Sequence, residues 1–599
     1  MSESRNSFED KIYLSLRHYS NVHRGSGLFS MISTSLYEEA RKIVLGYLSC
    51  DKSYVVIFCS PYRASGLAKN LDQGSYKIIS GDMAGLNIGL SAIAVKKGKL
   101  PPEGPFHSGG GTTVLVSADR VAWAAAPDRF EAGTPSIINV IAFARALQCL
   151  KMKGAEVSRE KLKISEDPDD LDGLSGRVLL DRLQESVIGR NIPVPVSNGI
   201  SSYINLDYAA STPALLPAWR AYLQALFSGC ENDPGLISRA KAAISQLLNA
   251  PAEKYDIIFT SNTTESINIV AEGTDGSSVL VSILEHNSND LPWRLKHNVV
   301  RLPVDKYGFI SQAELENILA SNPQIKILAM SGASNVTGTC NDLAEISKTA
   351  HHHGVKVLID AAQLIAHRRV DMDSCETDFL VFSGHKAYAP FGTGVLVARK
   401  GSLNFSDEEW NGIRSSGEKN VAGINALGES LSMLNRVGMD LIMKNEQDLL
   451  RKAIREMSEI KGIQIFGLND PDSAAMDQRV GVISFFIKDV WPDKIAKGLA
   501  QRGIGIRYGC HCAHILVKHI LNVSPRLQKF QFVIAWLFRS VRFPGVARIS
   551  FGIGITEADI LQFTRTLKEI AGKKHSHPSD IKSRMDEYAN SVKEKVFGL

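Results

Sequence analysis

The sequence predicts an α/β fold with a mixed, mostly parallel sheet and helices on both faces, and three observations carry that reading. From Tyr203 onward, short apolar runs at Asp256–Thr260, Ser278–Ile283, Ile325–Met330 and Val355–Asp360 alternate with amphipathic helical stretches, the rhythm of βαβ units. The run Phe379-Leu380-Val381-Phe382 is apolar at every position, as a buried strand is; a Gly-rich turn and a second strand, Val395 to Ala398, follow it. From about Asn445 the pattern changes to helix–strand–helix with antiparallel character, which predicts a smaller α+β domain ending near Ile570.

Taken in order, 1–155 reads as a module of its own. It is helical to about Leu48, with a polar break at Tyr19 to Gly25, then has short strands at Val55–Phe58 and Ser91–Val95. A Gly-containing turn lies at Gly81 to Gly89, a flexible loop at Gly109-Gly110-Gly111, and a loop Arg129 to Pro135 enters the apolar helix Ile137–Leu150. Residues 156–200 read as a linker with one amphipathic helix near Leu179–Val187, stiffened by Ile192-Pro193-Val194-Pro195. The large domain is expected over 201–444, the small one over 445–572, and a charged peripheral helix over 573–599.

Composition narrows the function classes. The chain has 599 residues, enough for two to four domains, and 44% hydrophobic against 22% charged residues permit a sizeable core. The net charge of +5 is spread out with no basic stripe, so nucleic acid is not implied. The eight cysteines (50, 59, 149, 230, 340, 375, 510, 512) show neither a disulfide framework nor metal-ligand spacing. His351-His352-His353 reads as a solvated helix end, so no metal is expected. The polar N-terminus and the short apolar run Phe532–Phe538 predict a cytoplasmic protein with no membrane segment.

The chemistry gathers at strand ends. Lys386 follows the buried strand in Ser383-Gly384-His385-Lys386. Desolvation there lowers an amine's pKa and makes it a nucleophile toward carbonyls, the requirement of a Schiff-base lysine; a surface lysine in a hairpin is the alternative. Asp360 ends an apolar strand, where ligands of parallel sheets bind; it could hold a pyridinium nitrogen protonated, as in pyridoxal phosphate (PLP) enzymes, or cap a helix. Ser261-Asn262-Thr263-Thr264-Glu265 opens a helix after a strand, which suits a phosphate and equally reads as a capping box. His286 ends another strand, where it could stack on an aromatic cofactor.

Together with Asn205 to Pro213, Asn335 and Asp360-Ala361-Ala362-Gln363, these motifs resemble the class V aminotransferase fold of PLP enzymes, a fold-type I transferase. They are most similar to Suf-type cysteine desulfurases and selenocysteine lyases over about 200–570. The resemblance implies PLP bound through Lys386, Asp360 at the ring nitrogen, His286 on the ring, and Gln363 and Asn335 near the ring oxygen. It implies phosphate contacts from Thr263, Thr264, Ser383 and His385. Arg548 matches the arginine for the substrate carboxylate, and Cys512, in Arg507-Tyr508-Gly509-Cys510-His511-Cys512, matches the cysteine that takes sulfur as a persulfide. An inert buried Cys512 is the alternative, and Cys510 stands where the family has histidine, which leaves open whether one thiol or both act. The implied activity is removal of sulfur or selenium from cysteine or selenocysteine to give alanine, with a sulfur-acceptor protein as a partner. Other class V chemistries, such as an aminotransferase or epimerase, and a non-catalytic scaffold are the rivals.

The first 150 residues resemble a broken second copy. Ser80 to Gly89 aligns without a gap with Ser383 to Gly392 and puts Met83 on the lysine. The loops of the family that reach into a partner's site match here, in Asn21-Val22-His23-Arg24-Gly25 and Arg129 to Pro135, and do not match in the second copy, around Cys230 to Pro234 and Arg414 to Lys419. The expectation is an intramolecular pseudo-dimer, possibly assembling further as a homo-oligomer, in which Thr134 reaches the phosphate and His23 or Arg24 lines the substrate mouth; a decayed remnant with only a structural role is the alternative.

Overall fold

The computed structural model describes residues 8–22, 27–102, 104–153, 171–226, 235–276, 278–537, 543, 545–572 and 580–598. His23, Arg24 and the stretch from Cys230 to Pro234 lie outside them.

A seven-stranded sheet organises the molecule, in the order Asn298–Leu302, Ser278–Ser282, Ile325–Ser331, Lys356–Asp360, Phe379–Ser383, Gly394–Arg399, Tyr255–Thr260. The first five strands run parallel and the last two join antiparallel, so the sheet is mixed. Alternate residues of Phe379-Leu380-Val381-Phe382 enter two different cores: Phe379 and Val381 one, Leu380 and Phe382 the other. That two-sided burial is why the strand is apolar throughout. The register sets Ser331 beside Asp360 and Ser383 beside Gly394, which in turn faces Thr260. The polar ends of four strands thereby meet along one edge.

A second sheet, antiparallel, has the order Ile463–Ile465, Val482–Ile487, Val546–Ser550, Arg507–Gly509. The helices Met439–Ser458, Pro492–Ala500 and Glu557–Gly572 pack with it.

The N-terminal residues form a three-stranded sheet, Tyr54–Cys59, Ser91–Lys96, Tyr76–Ser80. Its register repeats that of the large sheet. Cys59 and Ser80 both face Ser91, as Thr260 and Ser383 both face Gly394. A short 3-10 turn follows in each case, Asp82–Ala84 and Gly384–Lys386.

Three local readings are corrected. Residues 192–200 are not a spacer: Pro193–Val196 pairs with Gly199–Ser202, and just beyond them Ile204–Asn205 pairs in parallel with Ile504–Gly505. In keeping with the mismatch read at Arg414 to Lys419, residues Arg414 to Glu418 continue the helix Asp407–Glu418, whose Ser406 and Glu409 form a capping box, and Glu418 pairs with Lys241 at 2.9 Å. The tail helix Asp580–Phe597 is not peripheral, because Ile581, Met585, Val592 and Val596 are buried against the N-terminal helices. Lys11 Nζ donates to Gly598 O at 2.7 Å, fastening its end. The third correction, at Gly109-Gly110-Gly111, belongs to the site.

Candidate active site

Lys386 closes the 3-10 turn that leaves the buried strand. Its Nζ donates to the carbonyl of Ala209, which the second strand-turn, Asp207 to Ala210, presents. Burial pulls the amine's pKa down to about 7; the guanidiniums of Arg548 and Arg507 push the same way, and Asp207 and Asp360 oppose them. Gln363 Nε2 donates to the same Ala209 carbonyl at 2.6 Å. Asp360 is buried and accepts from Ala362 N at 3.0 Å; burial raises its pKa, against the pull of His286 and Lys386.

The helix Thr263–Glu272 starts beside this lysine. Asn262 caps it by accepting from Glu265 N at 3.0 Å. Thr263 N donates to Ser383 Oγ at 2.7 Å, and the Thr263 and Ser383 hydroxyls lie 2.6 Å apart. Thr264 and Ser288 hydroxyls also meet at 2.6 Å, and Ser288 Oγ reaches His286 Nδ1 at 3.0 Å. Hydroxyls thus gather at a helix N-terminus, the arrangement an anion needs. His385 is held far below its usual pKa by burial and by Lys386, and its Nδ1 contacts Ser211 Oγ at 3.2 Å. Ser211 in turn meets Tyr19 of the N-terminal segment at 2.7 Å.

The N-terminal segment supplies one wall. Gly110 N donates to Ser288 Oγ at 3.2 Å, and a Cβ at Gly110 would sit 2.6 Å from His286 Cε1. Gly109, with φ +155°, would place a Cβ 2.3 Å from Thr264 Cγ2. Gly109 and Gly110 are therefore a packed ledge under the phosphate-type turn, and the stretch is not a flexible loop. Gly133 N donates to Gly110 O at 2.7 Å, and Asn262 Nδ2 donates to the carbonyls of Ala132 and Thr134 at 3.3 Å each. Behind that loop, Glu131 is gripped by Arg41, Tyr37 and Phe58 N.

Cys512 sits in a turn with two left-handed residues, His511 at φ 50° and Cys512 at φ 54°. Ala513 N closes it on Cys510 O at 2.8 Å. Asn287 N donates to Cys512 O at 2.6 Å, and Asn335 Nδ2 to His511 O at 2.9 Å. These bonds hold the thiol on the cavity wall.

One cavity of about 130 Å³ joins these groups. Of the residues singled out in the sequence, Lys386, Cys512, Thr263, Thr264, His286, Asn335 line it, and so do Asp360, Gln363, Ser383, His385, Thr134 and Arg507. Asn21 and Val22 line it as well; His23 and Arg24, which follow them in the chain, lie outside the described residues. Arg548 is placed one layer back: it is buried, with Nη2 on Asp207 Oδ1 at 2.8 Å and Nη1 on Asn335 O at 3.0 Å. Asp207 and Ser288 carry more of the site than their sequence context signals. Ser288 shows only as a polar residue after His286, and Asp207 as one of several polar residues in Asn205 to Pro213. The donor set fits PLP: hydroxyls and a helix N-terminus for a phosphate, a buried carboxylate for a ring nitrogen, and an amine of lowered pKa for an aldehyde.

A mixed seven-stranded sheet with such a site at its strand ends defines a PLP-dependent transferase-type enzyme. The aminotransferase class-V family model matches residues 83–184 and 235–563. The chain belongs to that family, whose members use PLP. It is 31% identical over 425 residues to a probable cysteine desulfurase of Methanothermobacter thermautotrophicus, covering 64% of this chain and 98% of that one. It is 32% identical over 362 residues to a probable cysteine desulfurase of Staphylococcus aureus strain COL, covering 55% and 80%. Among solved structures, a cysteine desulfurase of Escherichia coli superposes with a TM-score of 0.51 at 27% identity, over 61% of this chain and 94% of that one.

Proposed function

We propose that this protein is a cysteine desulfurase-type enzyme that takes sulfur, or selenium, from L-cysteine or selenocysteine and leaves alanine. The observation that carries the reading is Cys512, held by its turn on the wall of the cavity that Lys386 enters. PLP, when bound, would supply an electron sink for the substrate's Cα. Thr263, Thr264, Ser383 and His385 would hold its phosphate, Asp360 its ring nitrogen and His286 its ring face, with Gln363 and Asn335 at the ring oxygen. Lys386, at a pKa of about 7, holds and moves a proton near neutral pH without a large driving force either way. Arg507 on the wall, backed by Arg548, takes the substrate carboxylate. Cys512 Sγ bonds to the substrate's sulfur as the substrate's Cβ–S bond breaks. The electron pair goes to Cβ, which is protonated to give alanine, and Cys512 retains the sulfur as a persulfide for an acceptor protein.

The N-terminal segment is read as a degenerate second copy of the large domain that completes this site within one chain. Two reciprocal contacts support it. A Cβ at Gly89 would meet Asn420, the residue before the helix Val421–Val437, at 2.8 Å, while a Cβ at Gly392, the aligned residue, would meet Ser136, the residue before the helix Ile137–Lys153. Asn262, two residues past Thr260, donates to Ala132 and Thr134, while Tyr62 N, three residues past the matching Cys59, donates to Ser416 Oγ at 2.9 Å. Contacts that exchange i with j in this way characterise two-fold interfaces. Met83, on the lysine's place, is 68% exposed and has no amine for an aldehyde. Among the described residues no helix is long and apolar enough to cross a membrane; a cytoplasmic location is part of the proposal.

The deciding experiment is alanine release from the purified protein with a panel of amino acids. Alanine from cysteine, lost in Cys512→Ala, supports desulfuration. Transamination that survives Cys512→Ala unchanged refutes it in favour of another class V chemistry.

A further inference from the structure

Arg507 and Arg548 are direct partners across two antiparallel strands. Like charges opposite each other in a ladder repel, and both guanidiniums are buried here, which multiplies the cost. One carboxylate resolves the conflict. Asp207, itself buried, accepts from Arg507 Nε at 3.1 Å through Oδ2 and from Arg548 Nη2 at 2.8 Å through Oδ1. Its backbone is fixed by a bridge to Ser550, two residues beyond Arg548, and by Asn205 Oδ1, which accepts from Asp207 N at 3.1 Å. The bookkeeping of charge leaves one net positive charge in the cluster. Two guanidinium nitrogens, Arg507 Nη2 and Arg548 Nε, are buried with no acceptor among the described residues, and of the two side chains it is Arg507 that lines the cavity. A buried guanidinium N–H without a partner is costly unless a ligand supplies the acceptor.

We propose that Asp207 is the positioning residue of a monocarboxylate subsite: it clamps Arg507 by Nε and Arg548 by Nη2, so that Arg507 Nη2 stays open for the α-carboxylate of an amino acid. The inference rests on the desulfurase reading for the identity of that amino acid. Asp207 touches no substrate; it acts through the two arginines. It also tempers their effect on Lys386, whose pKa they lower and Asp207 raises.

The test compares the holoenzyme with Asp207→Asn, which keeps an acceptor oxygen and loses the charge, and with Arg507→Lys, which keeps the charge and loses the fork. KM and kcat are measured for L-cysteine. Dissociation constants are measured for L-alanine and for ethylamine, which lacks the carboxylate. Both variants are expected to raise KM about tenfold or more, by a larger factor than kcat falls, and to lower the preference for L-alanine over ethylamine by a similar factor. An unchanged preference in Asp207→Asn, or equal weakening for both ligands, overturns the proposal. If Asp207→Asn does not fold, Asp207→Glu, which keeps the charge and displaces it by one methylene, decides on the same readouts. If the wild type releases no alanine from cysteine, the desulfurase reading fails, and the alanine-to-ethylamine preference still decides the subsite.

Discussion

Asn262 Nδ2 donates to the backbone carbonyl of Thr134, 128 residues earlier in the chain, at 3.3 Å. The residue that caps the helix under the proposed phosphate site is therefore also the anchor of the N-terminal wall. Gly133 permits the approach: its φ is +85°, and a Cβ there would lie 2.6 Å from the Asn262 amide.

If Thr134 reaches the cofactor's phosphate, Thr134→Ala weakens cofactor retention about tenfold, the worth of one charge-assisted hydrogen bond. The fold is untouched, since the main-chain carbonyl still serves Asn262. Equilibrium dialysis of PLP checks this, and equal retention in variant and wild type removes Thr134 from the site.

Gly110→Ala forces a methyl against His286. We expect turnover to fall about tenfold or more, as small displacements of positioned groups do. Gly98→Ala, where nothing lies within 4 Å, is the control and should behave as wild type.

Lys386 gives the cofactor-free protein a pH signature. Its folded pKa lies below its unfolded value of 10.5, near 7. Between those two values the unfolded chain binds the extra proton, so stability rises with pH across the window. Lys386→Met should raise the melting temperature of the cofactor-free protein at pH 7 and flatten its rise from pH 7 to 10. A wild-type slope that persists in the variant assigns the effect to other groups.

Cys512→Ala should cut alanine and persulfide formation on the order of a hundredfold while leaving PLP absorbance intact, because the thiol acts on substrate and not on the cofactor. Intact-mass detection of a sulfur adduct checks it. An adduct that survives at Cys510 would make that thiol the acceptor.

Removing residues 573–599 strips the buried apolar stripe Ile581, Met585, Val592 and Val596 from the N-terminal helices. At roughly 1.5–3 kcal/mol for each large apolar side chain, the loss is several kcal/mol. Calorimetry should show the melting temperature falling and the N-terminal segment becoming protease-sensitive first. A truncated chain as resistant as the full one would make the helix dispensable.

The strands legible in the sequence are those buried on both faces. Phe379 to Phe382 and Val357 to Ile359 are apolar at every position because two cores claim alternate side chains. The residues just past those strands were legible for a related reason: polar groups at the end of an apolar run have no core to enter. That is how Asp360, Lys386 and His286 stand out. Pro193–Val196 was misread because two prolines suggest a stiff spacer, yet an edge strand tolerates them. The tail helix was misread because its charged face dominates its composition while a stripe of six apolar side chains, Ile581 to Phe597, does the packing.

Local sequence, then, determined the mixed sheet, the turn that carries Lys386 and the kinds of group the site would use, because each depends on neighbours a few residues away. Tertiary structure alone decided that Asp207 lies between Arg507 and Arg548, that Gly110 supports His286, and that Thr134 faces Asn262. Those pairs are joined across 128 to 341 residues. Burial sets their energies, and no spacing along the chain encodes which distant carboxylate will share a dry site with which cation.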